Sequence, residues 1–254
     1  MDLLTEGIQD KDIFKAVFMA GGPGSGKSYI KSNLFGIPEH GPNLSVGGLK
    51  SVNSDREFMM LLNNYGFDPT VLAKYEKEIP DLFAHLSDPQ SKGGSGMREF
   101  AQALSKQRMM HYMDGKLGMV IDSTGSNFQK VKGQKKLLEK NGYDCYMVFV
   151  MTELKTALKR NTMRAEKGER ELPEKIVKKS WTEARKNLGG LKSLFRGNFK
   201  RVDNDKHLEP KEAIHFFSKL VKNYASKWVN EPIKNPIGKQ WVKDQLRLKK
   251  AGVK

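Results

Sequence analysis

Short apolar runs alternate along this chain with longer stretches of helical period. Runs at residues 16–22 (AVFMAGG), 49–53, 117–125 (LGMVIDSTG), 143–152 (YDCYMVFVMT) and 199–202 read as strands. Helical patterns fall at 27–34, 98–113, 153–166, 174–188 and 210–224, and KVKGQKKLLEKNG reads as a helix stopped at Gly142. In the 98–113 helix, Phe100, Leu104 and Met110 are placed on one face. Apolar strands separated by helices predict an α/β fold, a parallel sheet covered on both faces. Residues 56–98 interrupt the alternation and read as an insertion. Two helical pieces, EFMMLLNNYG and TVLAKYEKEI, precede a stretch rich in proline and glycine that ends in SKGGSG at 91–96, predicted as a mobile loop. Pro38 and Pro42 mark another loop. The pattern divides the chain into a domain over 1–225 and a basic tail over 226–254.

Composition narrows this picture. At 38% hydrophobic and 29% charged residues, the chain is globular. No run approaches the roughly 18 apolar residues of a membrane helix. The opening MDLLTEGIQDKDIF has early acids and no apolar core, so no secretory leader is expected and a cytoplasmic location fits. Cys145 is the single cysteine, which excludes an internal disulfide, and its place in an apolar run predicts a buried thiol rather than a nucleophile. The net charge of +16 favours polyanionic partners, nucleic acid or phosphorylated molecules. No zinc-finger spacing or RNA-binding aromatic motif accompanies it. The tail is either a basic helix docked through Trp228 and Trp241 or an arm for an anionic partner.

The sharpest motif is GGPGSGKS: Gly21, Gly22, Pro23, Gly24, Ser25, Gly26, Lys27 and Ser28. It matches the phosphate-binding loop G-x-x-x-x-G-K-[ST], with a strand before it and a helix after it. Glycines let backbone N–H groups wrap the phosphates, and the helix N-terminus adds positive partial charge. Lys27 is expected to reach the β- and γ-phosphates and Ser28 to ligate Mg²⁺. Tyr29, next in line, is grouped with the nucleotide-binding residues. No guanine-specific signature is present, so the nucleotide expected is ATP.

Three further sets of residues bear on chemistry. Asp55 closes the second strand in KSVNSD, where α/β sheets place their ligands. It either orients an acceptor hydroxyl or caps a helix starting at Arg56. Asp122 ends the third strand in VIDSTG and is read as a metal and substrate ligand, with Thr124 and Ser126 on the substrate side; a simple turn is the alternative. Arg160 and Arg164 share a helix face, and Arg170 follows in a basic loop at 168–173. Guanidinium groups there suit the charge of a moving phosphoryl group, though glutamates nearby make a solvated face the alternative.

Together AGGPGSGKS, VNSD, VIDSTG and RNTMRAEKGERELP resemble the zeta-toxin and polynucleotide-kinase branch of P-loop kinases, over about residues 16–220 with 56–98 poorly matched. The resemblance implies a kinase core with a five-stranded parallel sheet in the order 2-3-1-4-5. It implies Asp55 as catalytic base, and a lid over about 160–173 whose Arg164 and Arg170, with Arg160, bind ATP phosphates. It also places Asn204 near the adenine. Where many relatives have Ser-Thr, this chain has Ser28-Tyr29. Zeta toxins pair with an antitoxin; nothing in this sequence shows such a partner.

The expected function is therefore transfer of the ATP γ-phosphate to a hydroxyl, on a sugar nucleotide, a nucleoside-like small molecule or a nucleic-acid 5′-end. The competing reading is a nucleotide-dependent binding protein that grips nucleic acid or an acidic protein without transfer.

Overall fold

The computed structural model describes residues 8, 10–38, 44–45, 48–87, 96–166, 169–206 and 208–252. Pro42, residues 91–95 and Gly168, all expected in loops, lie outside that set. In chain order the elements are β1 (Lys15–Ala20), α1 (Lys27–Phe35), β2 (Lys50–Val52), α2 (Ser54–Asn64), α3 (Leu72–Glu78), α4 (Pro80–Ser87), α5 (Met97–Asp114) and β3 (Met119–Asp122). There follow α6 (Phe128–Lys140), β4 (Asp144–Met151), α7 (Leu154–Glu166), α8 (Glu174–Phe195), β5 (Phe199–Asp203), α9 (Pro210–Leu220), α10 (Ser226–Asn230) and α11 (Pro236–Lys250).

The five strands form one sheet in the order β2-β3-β1-β4-β5, with every pairing parallel, as the resemblance implied. The alternation of side chains along the strands divides the interior in two. Phe18, Ile121, Met147 and Phe149 face one core, which also takes Met109 of α5, Val131 of α6 and Leu191 of α8. Val17, Met19, Val120, Val148 and Val150 face the other, closed by Ile30 of α1 and Phe217 of α9. The central strands β1, β3 and β4 are buried on both sides because helices cover both. A third, separate cluster of Phe58, Leu61, Leu62, Leu72, Leu86 and Ala101 binds α2 to α5 into a small helical unit.

Parallel strands send all their C-terminal ends to one edge. There β1 runs into the GGPGSGKS loop, β2 into Asn53 and Asp55, β3 into Asp122, and β5 into Asn204.

Several local expectations are corrected. Residues 80–87, expected in the proline- and glycine-rich loop, are helical: Pro80 sits at the first helical position, and Leu86 is buried in the third cluster. On α5 the buried stripe is Ala101, Ser105, Met109 and Met113, whereas Phe100 is 54% exposed. The α8 helix does not stop at Leu188. It runs through Gly189 and Gly190 because Leu191 and Phe195 extend its buried stripe, with Phe128 packed against Gly190.

The helical run after β5 also passes the expected limit near residue 225. A π-helical stretch, Val221–Ala225, joins α9 to α10. Trp228 is buried and stacks on Tyr146 with centroids 5.0 Å apart, and Trp241 meets Phe14 edge-on at 5.4 Å. Asp144, paired with buried Lys15 at 3.0 Å, accepts hydrogen bonds from the Lys234 and Asn235 backbone N–H groups. The tail is thus docked on the body over these residues.

Candidate active site

The phosphate-binding loop needs its glycines for space as well as for conformation. Gly24 and Gly26 adopt φ of +74° and +82°, in the left-handed region. A Cβ at Gly24 would lie 2.2 Å from the Ala157 carbonyl oxygen, and one at Gly26 would lie 2.2 Å from Asn204 Nδ2. Gly26 opens α1 with no side-chain cap, so the first N–H groups of the helix stay available to an anion. Lys27 folds over the loop and donates to the carbonyls of Gly21 (2.7 Å) and Gly22 (3.2 Å). Burial lowers its pKa to about 8, against the opposing pull of Asp122 and Asp55. Both carboxylates therefore act on the same ammonium group.

Asp55 is not a helix cap. Asn53 takes that role, accepting from the Asp55 N–H at 2.9 Å, and α2 begins at Ser54 rather than Arg56. The Asp55 carboxylate is left to the cleft. Its Oδ1 lies 2.7 Å from Arg98 Nη1 and 3.1 Å from Arg170 Nη2. Burial in the cleft pushes its pKa up, but Arg98, Arg170 and Lys27 outweigh that and hold it well below the usual carboxylate range.

Asp122 ends β3 and pairs with Lys31 at 2.7 Å, while Lys31 also reaches Ser51. One Asp122 oxygen is thereby engaged by an ammonium group rather than left open. The hydroxyls of Thr124 and Ser126 contact each other at 2.6 Å. Asn187 of α8 donates to the carbonyls of Gly125 and Ser126, and Gly21 N–H donates to that of Thr124. These bonds tie the DSTGS turn to the phosphate-binding loop.

The arginines divide their positions. Arg164 and Arg170 line the cleft. Arg160, one turn before Arg164, lies instead beside Gly26 and Asn204; its Nη1 is buried and has no hydrogen-bond partner among the described residues. Asn204 donates to the Ser25 carbonyl at 2.8 Å. Tyr29 does not line the cleft: its ring meets Phe217 edge-on at 5.3 Å, between α1 and α9.

Sequence reasoning missed several residues of this arrangement. Arg98 comes from α5, far along the chain, with no motif around it. Asn161, buried on α7, donates to the Leu172 carbonyl and accepts from its N–H, which pins the segment carrying Arg170. Phe58 lies under both guanidinium groups, 5.2 Å from Arg98 and 5.1 Å from Arg170.

Lys27, Ser28, Asp55, Arg98, Asp122, Arg164 and Arg170 open on one cavity of about 1030 Å³. It runs from the phosphate-binding loop past Asp55 to a far wall of Lys106, Lys130 and Gln134 on α5 and α6. Pockets for one ligand usually take about 300–1,000 Å³, so this space stands at the upper end of that range. Among the described residues no cluster of three or more His, Cys, Asp or Glu is built for a metal. Ser28 and Asp122 at the cleft floor fit a magnesium ion held mainly by phosphates. No helix among the described residues is long and apolar enough to cross a membrane.

A family model described as Zeta toxin matches residues 68–217, more than half of the chain. No curated protein matches. Among solved structures, a chain of the Pnkp1/Rnl/Hen1 RNA repair complex is 16% identical over 69% of this chain, with a TM-score of 0.47. This chain spans 45% of that one. The PezAT chromosomal toxin-antitoxin system of Streptococcus pneumoniae gives 14% identity over 96% of this chain and 90% of its own, also with a TM-score of 0.47. At such scores neither contributes to the functional reading.

Proposed function

The chain belongs to the zeta toxin family, and from that premise we propose that it is an ATP-dependent kinase that moves the γ-phosphate to a hydroxyl group. The observation that carries this reading is the meeting of Lys27, Asp55, Arg164 and Arg170 in one cleft, with Asp55 relieved of capping by Asn53.

In this reading Gly21 to Ser28 cradle the triphosphate. Asn204 and Arg160 border the loop on its other side, where the buried Arg160 Nη1 has no hydrogen-bond partner among the described residues. The acceptor hydroxyl lies against Asp55. Its oxygen forms a bond to the γ-phosphorus as the bond to the ADP oxygen breaks, and its proton passes to Asp55. Such transition states are loose, so the proton leaves late and a weakly basic carboxylate suffices. Lys27, Arg164 and Arg170 meet the charge spread over the moving group. Ser28, with Asp122 nearby, would hold a magnesium ion, which would supply further neutralisation of the phosphate charge.

The far wall bears on the acceptor. Lys106 and Lys130 line the cleft, and none of the described carboxylates forms an ion pair with either. They favour an acceptor that itself carries phosphate, a sugar nucleotide or a nucleic-acid end, over a neutral nucleoside. Radiolabelled γ-phosphate transfer tests this, run separately with a metabolite extract and with 5′-hydroxyl oligonucleotides. Label in one product and not the other identifies the acceptor class. Label in neither, despite ATP binding, supports the binding-protein reading instead.

A further inference from the structure

Asp55 stands on the first turn of α2, where only its backbone is fixed, through the Asn53 cap. Its carboxylate has two rotatable bonds and is 54% exposed to the cleft. An acceptor hydroxyl needs that carboxylate in one orientation, within hydrogen-bond reach. Two guanidinium groups supply it, both on Oδ1 and both over the Phe58 ring, and they differ in the element that carries them.

Arg170 belongs to the segment between α7 and α8, which also carries the phosphate-facing role proposed above. Once it serves a γ-phosphate, it must divide its donors between that group and Asp55. Arg98 belongs to a packed helix. It lies over the ring of Phe58, which is fully buried, and its Nη1 reaches both Asp55 Oδ1 (2.7 Å) and the Ser54 carbonyl (3.4 Å). Phe58 and Ala101, one turn of α2 and one turn of α5, share the third hydrophobic cluster. The guanidinium is therefore fixed to the start of α2 by stacking, by a backbone contact and by helix packing.

We infer that Arg98 is the positioning residue of Asp55: it holds Oδ1 from the side of the insertion, presents Oδ2 to the acceptor hydroxyl, and remains when Arg170 turns to phosphate. This rests on the kinase reading above. Arg98 takes part in none of the bond changes. The acceptor O–H breaks, its proton goes to Asp55 Oδ2, the O–P bond forms and the bond to ADP breaks. The insertion thus completes the catalytic edge of the sheet, because α5 supplies the group that the strand-end loops lack.

The charged groups facing Asp55 are Arg98 from α5, Arg170 from the lid segment and Lys27 from α1; Arg98 in turn repels Lys130 of α6. Removing one close cation raises a carboxyl pKa by about 1–3 units. The test is carbon-detected NMR titration of the Asp55 carboxyl in the full chain, assigned by its loss in Asp55→Asn, with and without a non-hydrolysable ATP analogue and magnesium. Wild-type Asp55 should stay ionised through the ordinary carboxylate range. Arg98→Gln should bring its titration into that range in both states. Arg170→Gln should do little once the analogue is bound, because Arg170 by then serves the phosphate. Arg98→Lys, which keeps charge without the fork, should restore most of the titration but not of kcat with the acceptor found above. An Asp55 titration unchanged in Arg98→Gln, in protein whose circular dichroism melt is native, overturns the proposal. The NMR readout needs no turnover, so a chain that fails to transfer phosphate yet shows these shifts sinks the kinase reading and leaves the placement of Arg98 standing.

Discussion

Lys27 shows how much one side chain reports about the whole cleft. Its ammonium lies within the influence of Asp122, Asp55 and Arg164, yet burial dominates and lowers its pKa to about 8. A lysine with a lowered pKa loses its charge as pH rises through that value. Bound phosphates favour the charged form and restore it. ATP affinity should therefore hold below about pH 8 and weaken above it, by at most about tenfold per pH unit for one linked proton. Calorimetric titrations of ATP between neutral and alkaline pH check this, and in Lys27→Met the pH dependence should vanish along with most of the affinity. Other single residues were less legible. For Asp55 the place at a strand end left acceptor orientation and helix capping both open, and the base role proposed for it comes from the family resemblance. Its partner Arg98 was not legible, because an arginine opening a helix 43 residues later carries no local mark. The Tyr29 side chain turns away from the cleft, because adjacency to Ser28 says nothing about which way a helix turns its next side chain.

At the scale of elements, the glycine pair in α8 gives a test of opposite signs. Gly189 has open space where a Cβ would stand, whereas a Cβ at Gly190 would meet the Phe128 ring at 3.1 Å. Gly189→Ala should raise stability by about 0.5–1 kcal/mol, the helix-interior difference between the two residues. Gly190→Ala should forfeit that gain by displacing Phe128. Denaturant midpoints of the two variants decide it. The same pair explains a misread boundary: two adjacent glycines look like a stop, and only the buried positions of Leu191 and Phe195 beyond them show that the helix continues. The sheet was legible because its apolar runs and the loop after β1 are local signals. The insertion was legible only in part. Its first two helices have clear periods, but α4 is short, starts at a proline and is specified by burial of Leu86 against α2 and α5. Likewise Phe100 sits on the right helix and the wrong face, since small Ala101 and Ser105 define the packed stripe.

For the whole molecule, the C-terminal region belongs to the folded body. Trp228 is buried in the second core, and Asp144 holds the backbone of Lys234 and Asn235. Trp228→Ala should cost about 3–5 kcal/mol, read from denaturant unfolding, and removing residues from 226 onward should abolish a cooperative transition. The charge of +16 acts at this scale too. A fluorescent single-stranded oligonucleotide should bind the protein and lose at least about tenfold in affinity between roughly 50 and 200 mM salt, as counterion release requires when several phosphates are neutralised. Salt-independent binding would place the positive charge away from any track for a strand.

The central claim is that Asp55 makes a nucleotide cradle into a phosphotransfer site. It is tested most directly by measuring, on one preparation of Asp55→Asn, both ATP affinity and transfer of labelled γ-phosphate to the acceptor. Asparagine keeps the size of the side chain and leaves the Asn53 cap in place. ATP should bind within a few-fold of wild type while transfer falls by about 10²–10⁴. Transfer at the wild-type rate, with ATP binding unchanged, would contradict the account.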